Sequence, residues 1–269
     1  MEKIISAQNS RIKNIQKLSA KSKERKTQGL FVIEGAREIS LALSGSYCFD
    51  SVFYCPELFA GTDYPEVLQS INPEILYEVS VAVFEKIAYR EGSDGILAVA
   101  KAKDHSLASL NLPENPFVIV LESVEKPGNL GAILRTADAA GVDALIVCDP
   151  LTDVYNPNTI RSALGCIFTV PVAVSENAGT LSFLKNKGIR TFAAELQASQ
   201  WYQDTDFRGS TAIVLGTEAD GLSPFWLKNA DARIKIPMRG KIDSLNVSVA
   251  TAVITFEAMR QRGFLPYQG

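Results

Sequence analysis

The sequence predicts an α/β protein with two domains, the second built on a doubly wound parallel sheet. Three observations predict this class. Short strand patterns alternate with helical segments of about ten residues. Several strands are almost wholly apolar, which is typical of strands covered on both faces. A polar stretch with two prolines divides the chain. With 269 residues, 46% of them hydrophobic and 21% charged, the chain can form two cores and is not a disordered or disulfide-stapled protein.

The first predicted domain, residues 1–102, begins with a basic helix in which Ile12, Ile15 and Leu18 recur at helical spacing. Strand and helix patterns then alternate, as in βαβ units on a small sheet. The predicted strands are 29–35, 51–56, 74–80 and 95–102, and the predicted helices are 37–45, 65–71 and 81–89.

Residues 103–116 form the predicted linker, because they lack a periodic apolar face. The single histidine, His105, lies there and is interpreted as a surface residue. The second predicted domain, residues 117–269, restarts with an apolar strand. Its predicted strands are 117–124, 144–150, 168–174, 189–196, 211–216 and 233–238, and its predicted helices are 132–140, 159–165, 181–187 and 246–262.

Charge is unevenly distributed along the chain, whose net charge is -3. Residues 1–26 carry eight basic side chains against two acidic ones, whereas the remaining 243 residues carry 19 basic and 28 acidic groups. A concentrated cationic segment on an acidic protein favours local contact with a polyanion. A solvated helix face is the alternative interpretation, and charge alone does not decide between them.

Several classes of site and location are disfavoured by composition. The four cysteines form no CxxC pair and have one histidine to join them, so we expect no zinc site and no Cys–His nucleophile. We interpret the cysteines as reduced, mostly buried thiols. No run approaches the roughly 18 apolar residues of a membrane helix, and the first residues lack the apolar core of a signal peptide. These features predict a cytoplasmic protein.

The first loop of chemical interest spans residues 127–137, PGNLGAILRTA. Gly128 and Gly131 allow close backbone approach, and Asn129 offers an amide. Arg135 is expected about one turn into the following helix, beside N–H groups that favour an anion. These features predict a phosphate site, with an ordinary tight turn as the alternative. The loop matches neither GxGxxG nor a P-loop.

The second loop spans residues 213–224, IVLGTEADGLSP. It follows a strand and contains an acidic pair, Glu218 and Asp220, before a Ser-Pro helix start. A carboxylate there could orient a hydroxyl group or a cation. Alternatively, Asp220 and Gly221 form a common turn, and Glu218 compensates a helix dipole.

The third loop of interest spans residues 236–252, IPMRGKIDSLNVSVATA. Ser244 is predicted to cap the last helix, with Asn246 and Ser248 in its first turn. That helix is apolar almost all round. We therefore expect it to pack against the sheet or against a partner subunit.

Taken together, NLGAILRTADAAGVDALIV, IVLGTEADGLSP and IPMRGKIDSLNVSVATAVITFEAMR resemble the three motifs of the SpoU (TrmH-type) RNA 2'-O-ribose methyltransferases of the SPOUT superfamily. The first domain, which opens with ISAQNSRIKNIQKL, is similar to the ribosomal-protein-like substrate-binding domain often fused upstream. The resemblance implies a parallel sheet closed by a trefoil knot, an exception to the usual absence of knots. It also implies S-adenosylmethionine as cofactor, a homodimer formed through the knotted domain and no metal. The substrate it implies is structured RNA, either ribosomal or transfer RNA, and the upstream domain favours ribosomal RNA.

The resemblance also assigns functions to residues. The catalytic positions it implies are Asn129, Arg135, Glu218, Ser244 and Asn246. The positions it implies for cofactor binding are Leu215, Gly216, Ile236, Met238, Leu245 and Asn246. Contact with RNA is expected from Arg135, as a phosphate clamp, and from the basic helix through Arg11, Lys13 and Lys17.

Three alternatives compete with a ribose methyltransferase. The first is a non-catalytic RNA-binding protein that keeps the knotted scaffold, although Asn129, Arg135, Glu218 and Asn246 are all present. The second is a base-methylating enzyme of the same superfamily. The third is an ordinary α/β enzyme acting on a phosphorylated metabolite, which leaves the basic helix unexplained.

Overall fold

The computed structural model describes residues 2–59, 66–89, 92–198, 200–217 and 220–264. The chain forms two compact units, each described separately below. The first unit contains residues 1–103 and 153–169, and the second contains 104–152 and 170–269. The chain passes from one unit to the other three times. The sequence pattern placed residues 153–169 in the second domain, and they pack instead in the first unit.

The first hundred residues contain five strands and five α-helices among those described. Their bounds are β1 Glu2–Ile4, α1 Ser10–Ala20, α2 Ser22–Gln28, β2 Leu30–Glu34, α3 Ala36–Ser44, β3 Phe49–Tyr54, α4 Glu66–Gln69, β4 Leu76–Val79, α5 Val81–Ile87 and β5 Ile96–Lys101. The basic segment is therefore two helices preceded by a short strand that the sequence pattern did not predict.

The first sheet has the order β1-β4-β3-β5-β2 and is mixed. β4 runs parallel to β1 and to β3, whereas β5 runs antiparallel to β2 and to β3. Helix α1 packs on this sheet through Ile12, Ile15 and Leu18, each 1% exposed or less, as their spacing predicted. Asn9 caps the helix by accepting a hydrogen bond from the Arg11 backbone N–H at 2.8 Å.

The rest of the chain contributes seven strands and five α-helices among its described residues. Their bounds are β6 Phe117–Glu122, α6 Pro127–Ala140, β7 Ala144–Cys148, α7 Pro157–Ser162, β8 Val172–Ser175, α8 Asn177–Asn186, β9 Arg190–Ala194, β10 Gln200–Trp201, β11 Thr211–Leu215, α9 Pro224–Asn229, β12 Ala232–Lys235 and α10 Val247–Gln261. Helix α7 belongs to the first unit and the others to the second.

The second sheet has the order β10-β12-β9-β11-β6-β7-β8, and all its strand pairs are parallel. This confirms the predicted parallel sheet. Strands β6, β7 and β11 are buried at every position, as expected for strands covered on both faces. No helix in the described part of the chain is both long and apolar enough to cross a bilayer.

Several predicted bounds in the second half are wrong, and three of them have a clear local cause or a large shift. Helix α6 begins at Pro127, five residues before the predicted start, because proline suits the first helical position. The strand predicted at 168–174 begins only at Val172, since Cys166–Phe168 form a 3₁₀ turn. Strand β12 ends at Lys235, three residues before the predicted end.

Candidate functional site

The loops after β6, β11 and β12 open at one edge of the second sheet, because the three strands run parallel. A cleft of about 400 Å3 opens there. Five of the six residues predicted to hold a cofactor line it, and Asn246 does not. The predicted site residues on its wall are Leu215, Gly216, Ile236, Met238, Ser244 and Leu245. Most of them are apolar.

A smaller cleft of about 80 Å3 adjoins the larger one, and Gly216, Thr217 and Val247 line both. Asn129 and Glu122 line the smaller cleft but not the larger one. Glu122 is not among the residues predicted from the sequence. A carboxylate at the end of an otherwise apolar strand, FVIVLE, was the signal that could have identified it.

The first and third loops meet through a pair of asparagines. The Asn246 side-chain Nδ2 donates a hydrogen bond to Asn129 Oδ1 at 3.3 Å. At its other end, Asn246 Oδ1 accepts from the Ser248 backbone N–H at 2.9 Å and from the Ser248 hydroxyl at 2.6 Å. The Asn246 amide thus caps α10 and reaches α6 at the same time.

Ser244 does not cap the last helix, contrary to prediction. Asn246 occupies that position, and the Ser244 hydroxyl contacts the Asp243 carboxylate at 3.3 Å. The reason is geometric. The cap is the residue immediately before the first helical position, and α10 begins only at Val247.

Two backbone hydrogen bonds join described residues of the second loop. The backbone N–H of Thr217 donates to the Gly221 carbonyl at 3.0 Å, and the Gly221 N–H donates to the Thr217 carbonyl at 3.2 Å. A Cβ added to Gly216 would lie 2.1 Å from the backbone of Gly221, so only glycine fits there. Glu218, a predicted catalytic residue, lies outside the described residues.

Arg135 is not next to the asparagine pair. It lies eight residues after Pro127, about 12 Å along the axis of α6, rather than one turn into the helix. Its position is about 120° around the helix from Asn129. The side chain is exposed, lines neither cleft and has no hydrogen-bond or ion-pair partner among the described residues.

The basic segment of the first unit presents most of its cations to solvent. Arg11, Lys13 and Lys17 are all exposed on α1. Arg11 lies 4.5 Å from the centre of the Tyr77 ring, in a cation–π contact. The two lysines have no ion-pair partner within the described ranges.

Arg25 is the exception in that segment, because it is 5% exposed. Its Nε donates to Asp153 Oδ2 at 2.6 Å, and its Nη1 donates to the carbonyl oxygens of Leu18 and Ser19. This guanidinium holds the segment 153–169 in the first unit and is not available to a polyanion. Arg25 therefore does not count among the basic side chains of residues 1–26 that can contact RNA.

Among the described residues, none near the clefts provides an activated thiol or belongs to a metal site. Burial raises the pKa of the Cys148 thiol, at the end of β7, to about 12, so it remains protonated at neutral pH. Of the four cysteines, Cys48 is exposed and the others are buried. In the described parts of the chain, no three or more His, Cys, Asp or Glu side chains are grouped to hold a metal ion.

Two family profiles match this chain. The profile described as "SpoU rRNA Methylase family" matches residues 116–256. The profile described as "MRM3-like substrate binding domain" matches residues 9–98. Together they cover most of both units.

Individual proteins are similar over nearly the whole chain. The 23S rRNA (guanosine(2553)-2'-O)-methyltransferase RlmP of Bacillus subtilis (strain 168) is 31% identical over 95% of this chain and 98% of its own. A crystal structure of an RNA 2'-O ribose methyltransferase has 35% sequence identity and a TM-score of 0.84, covering 97% of this chain and 99% of that one. The SpoU methyltransferase AviRb from Streptomyces viridochromogenes in complex with AdoMet has 26% identity and a TM-score of 0.86, covering 94% and 99%.

Proposed function

Because this chain belongs to the SpoU rRNA methylase family, we propose that it transfers a methyl group from S-adenosylmethionine to a ribose 2'-hydroxyl of 23S rRNA. The family assignment confirms the resemblance seen in the three motifs. The observation that carries the proposal is the meeting of all three motif loops at one sheet edge, where the larger cleft lies beside the Asn129–Asn246 pair.

The larger cleft has properties suited to S-adenosylmethionine. Its volume of about 400 Å3 lies within the range of small-molecule sites, which combine apolar walls with a few polar groups. Leu215, Ile236, Met238 and Leu245 would enclose the adenosine part. The backbone of Gly216 would supply hydrogen bonds at a point where no side chain intervenes.

The chain has little covalent chemistry to perform, because the bound sulfonium supplies an already activated methyl group. The protein must orient the ribose and help its hydroxyl lose a proton. We assign the orienting role to Asn129 and Asn246, whose amides are held by each other and by the α10 cap. Glu218 and Ser244 complete the proposed pocket. No metal is required.

Arg135 is proposed to clamp the phosphate beside the target ribose through charge-assisted hydrogen bonds. Because an arginine side chain donates hydrogen bonds and accepts none, clamping is favoured over proton abstraction. In the first unit, Lys13 and Lys17 on α1 are proposed to contact RNA phosphates, with Arg11 beside them.

We further propose that the chain carries the trefoil knot of its superfamily and acts as a homodimer in the cytoplasm. For the knot, the support is that loop 216–223 and the segment 236–246 both contribute to the wall of the larger cleft. For the dimer, the support is an apolar surface on α10, where Val249 is 48% exposed and Phe256 is 41% exposed.

A dimer would also explain the position of Arg135, which lies outside both clefts of its own chain. Helix α6, which carries Arg135, packs against α10, so a partner seated on α10 would approach α6 as well. We propose that the arginine serves the partner's cleft. Mixing the inactive variants R135A and N129A should then restore about a quarter of the wild-type rate, through mixed dimers with one intact composite site. No recovery would place Arg135 and Asn129 in the same chain's site.

The activity is tested by incubating the protein with unmodified 23S rRNA and S-adenosylmethionine carrying a labelled methyl group, followed by nuclease digestion. A labelled 2'-O-methyl nucleoside is the expected product. A labelled base would instead indicate the base-methylating alternative. Calorimetry with S-adenosylmethionine, and with NADH as control, tests the non-catalytic alternative. Binding of S-adenosylmethionine without methyl transfer to any RNA would favour an RNA-binding scaffold.

A further inference from the structure

A buried carboxylate stands at the carboxyl end of β6, on the wall of the smaller cleft. Glu122 is 4% exposed, and three groups donate to its two oxygens. Oε1 accepts from Asn177 Nδ2 at 2.7 Å and from the Ser223 hydroxyl at 2.5 Å, and Oε2 accepts from the Ser223 backbone N–H at 2.7 Å. Such a carboxylate is held on both sides. It therefore fixes the positions of Asn177 and Ser223.

The amide of Asn177 extends this network into α9. Its Oδ1 accepts from Trp226 Nε1 at 2.6 Å while its Nδ2 donates to Glu122. Trp226 is completely buried. Glu122 contributes only acceptors, Trp226 contributes a donor, and Asn177 matches each of them with the opposite group. The donors and acceptors of the network therefore fit together in only one arrangement. A single substitution that exchanges an acceptor for a donor would break a hydrogen bond.

Ser223 takes part in this network in place of capping α9. It precedes α9, where a serine oxygen commonly accepts from an N–H of the first turn and contributes about 1 kcal/mol. Ser223 makes no such cap bond, and its hydroxyl donates to Glu122 instead. The helix start is thus left uncapped by this side chain, and the end of the second loop is tied to β6.

The described residues of the second loop are consequently held at two points. The backbone pair joins Thr217 to Gly221, and the Glu122 contacts hold Ser223. Asp220, Gly221 and Leu222, next to these contacts, line the larger cleft. A backbone that is already in position loses less conformational entropy when it binds a ligand.

We propose that Glu122 is a positioning residue, which holds residues 220–223 through Ser223 in the conformation that binds S-adenosylmethionine. The inference rests on the proposed function, because it uses the cofactor site assigned there. It adds a residue that lines the smaller cleft and not the larger one, and it assigns Asn177 the task of orienting Glu122.

The test is the variant E122Q of the full chain. A glutamine at this position must turn its NH2 group toward the Asn177 amide donor or toward the Ser223 N–H, so one hydrogen bond becomes a donor–donor conflict. We expect the Kd for S-adenosylmethionine, measured by calorimetry, to rise at least about tenfold. The KM for the cofactor should rise with it, while kcat at saturating cofactor stays within about threefold.

A second readout needs no cofactor. In the E122Q protein alone, the backbone amides of residues 220–223 should exchange with deuterium faster than in the wild-type protein. The matched control is E176Q, which removes an exposed carboxylate one residue from Asn177 and should leave both the Kd and the exchange unchanged.

Reversing the polarity of the network provides the decisive variant. In E122Q/N177D, the glutamine NH2 donates to the aspartate at position 177, which also accepts from Trp226, and the glutamine oxygen accepts from the Ser223 N–H. The Ser223 hydroxyl can accept as well as donate. We expect the Kd to return to within about threefold of the wild-type value. N177D alone, which sets two carboxylates against each other, should bind at least as weakly as E122Q.

The outcomes separate this inference from the proposed function. If the wild-type protein does not bind S-adenosylmethionine, the proposed function fails. If the wild-type protein binds and E122Q binds equally well with unchanged exchange, the positioning role is overturned. Weak binding by E122Q without recovery in the double variant would also overturn it. Should E122Q fail to fold, S223A, which keeps the backbone bond, must still raise the Kd severalfold for the inference to stand.

Discussion

Two arginines that look alike in the sequence have opposite environments in the two units. Arg25, in the basic segment of the first unit, is buried and paired with Asp153 at 2.6 Å. Arg135, in the first motif loop of the second unit, is exposed and has no ion-pair partner among the described residues. A buried guanidinium stabilises the fold around it. An exposed one has its charge available to a ligand.

The comparison shows what a charge count leaves out. Arg135 was predicted to contact RNA through its motif, whereas Arg25 was only counted in the basic charge of a segment expected to contact a polyanion. Burial separates them, and burial of Arg25 depends on a residue 128 positions away. Substitutions in both units can test this contrast, and the largest effect is expected at Arg25.

Replacing Arg25 should damage the fold of the first unit. R25A leaves the Asp153 carboxylate, which is 11% exposed, without its partner, and it removes the donor to two backbone carbonyls. Breaking a buried pair in this way costs about 3–5 kcal/mol, measured as the free energy of unfolding in urea. K26A, which removes the adjacent exposed cation, is the control and should cost less than about 0.5 kcal/mol. Equal stability of the two variants would contradict a structural role for Arg25.

Replacing Arg135 should leave the fold intact and lower the rate. If its guanidinium clamps an RNA phosphate, R135A should reduce turnover at least about a hundredfold, some 2.7 kcal/mol of activation free energy. The Kd for S-adenosylmethionine and the Tm should remain at the wild-type values, because the side chain lines neither cleft. R208A removes another exposed arginine of the second unit, whose side chain is 72% exposed, as control. Near-normal single-turnover rates for R135A would exclude the clamp.

Elements with a strong local signal were predictable from the sequence. Ile12, Ile15 and Leu18 marked α1 by their spacing, and the apolar runs of β6 and β11 marked buried strands. In each case the hydrophobic pattern is a property of adjacent residues.

Features set by distant contacts were not predictable in this way. Strands β1 and β10 have three and two residues, too few to show a period. The order of the strands depends on pairing between remote segments.

The candidate site likewise contains residues that the sequence identified and contacts that it could not predict. Gly216 and Asn246 were identified by motif, and the structure brings their loops together, whereas the bond between Asn246 and Asn129 spans 117 positions. Glu122 was missed because its partners, Asn177 and Ser223, are 55 and 101 positions away. A residue that acts by holding others has no sequence motif of its own.

The exposed lysines of α1 test, within the first unit, whether exposed cations bind RNA where buried Arg25 does not. K13Q/K17Q should weaken RNA binding and reduce the slope of log affinity against log salt by about one for each phosphate that is no longer neutralised. Charge substitution is sharper than deletion of residues 1–26, because deletion would also remove three core residues of α1. Filter binding across a salt series measures the slope.

The control for this pair is K187Q, an exposed lysine of the second unit. It should leave the slope unchanged. If K13Q/K17Q gives the wild-type slope, the lysines of α1 belong to a solvated helix face and do not contact RNA.

The smallest effect is expected at Gly128, which the sequence paired with close backbone approach. A Cβ there would meet nothing within 4 Å, in contrast to Gly216. Alanine is favoured over glycine in a helix by up to about 1 kcal/mol. G128A should therefore raise the free energy of unfolding by at least a few tenths of a kcal/mol. No atom of the described residues requires a glycine here, and close approach of the RNA is one explanation. That explanation requires G128A to raise the KM for RNA while stability increases; an unchanged KM would mean that Gly128 faces only solvent.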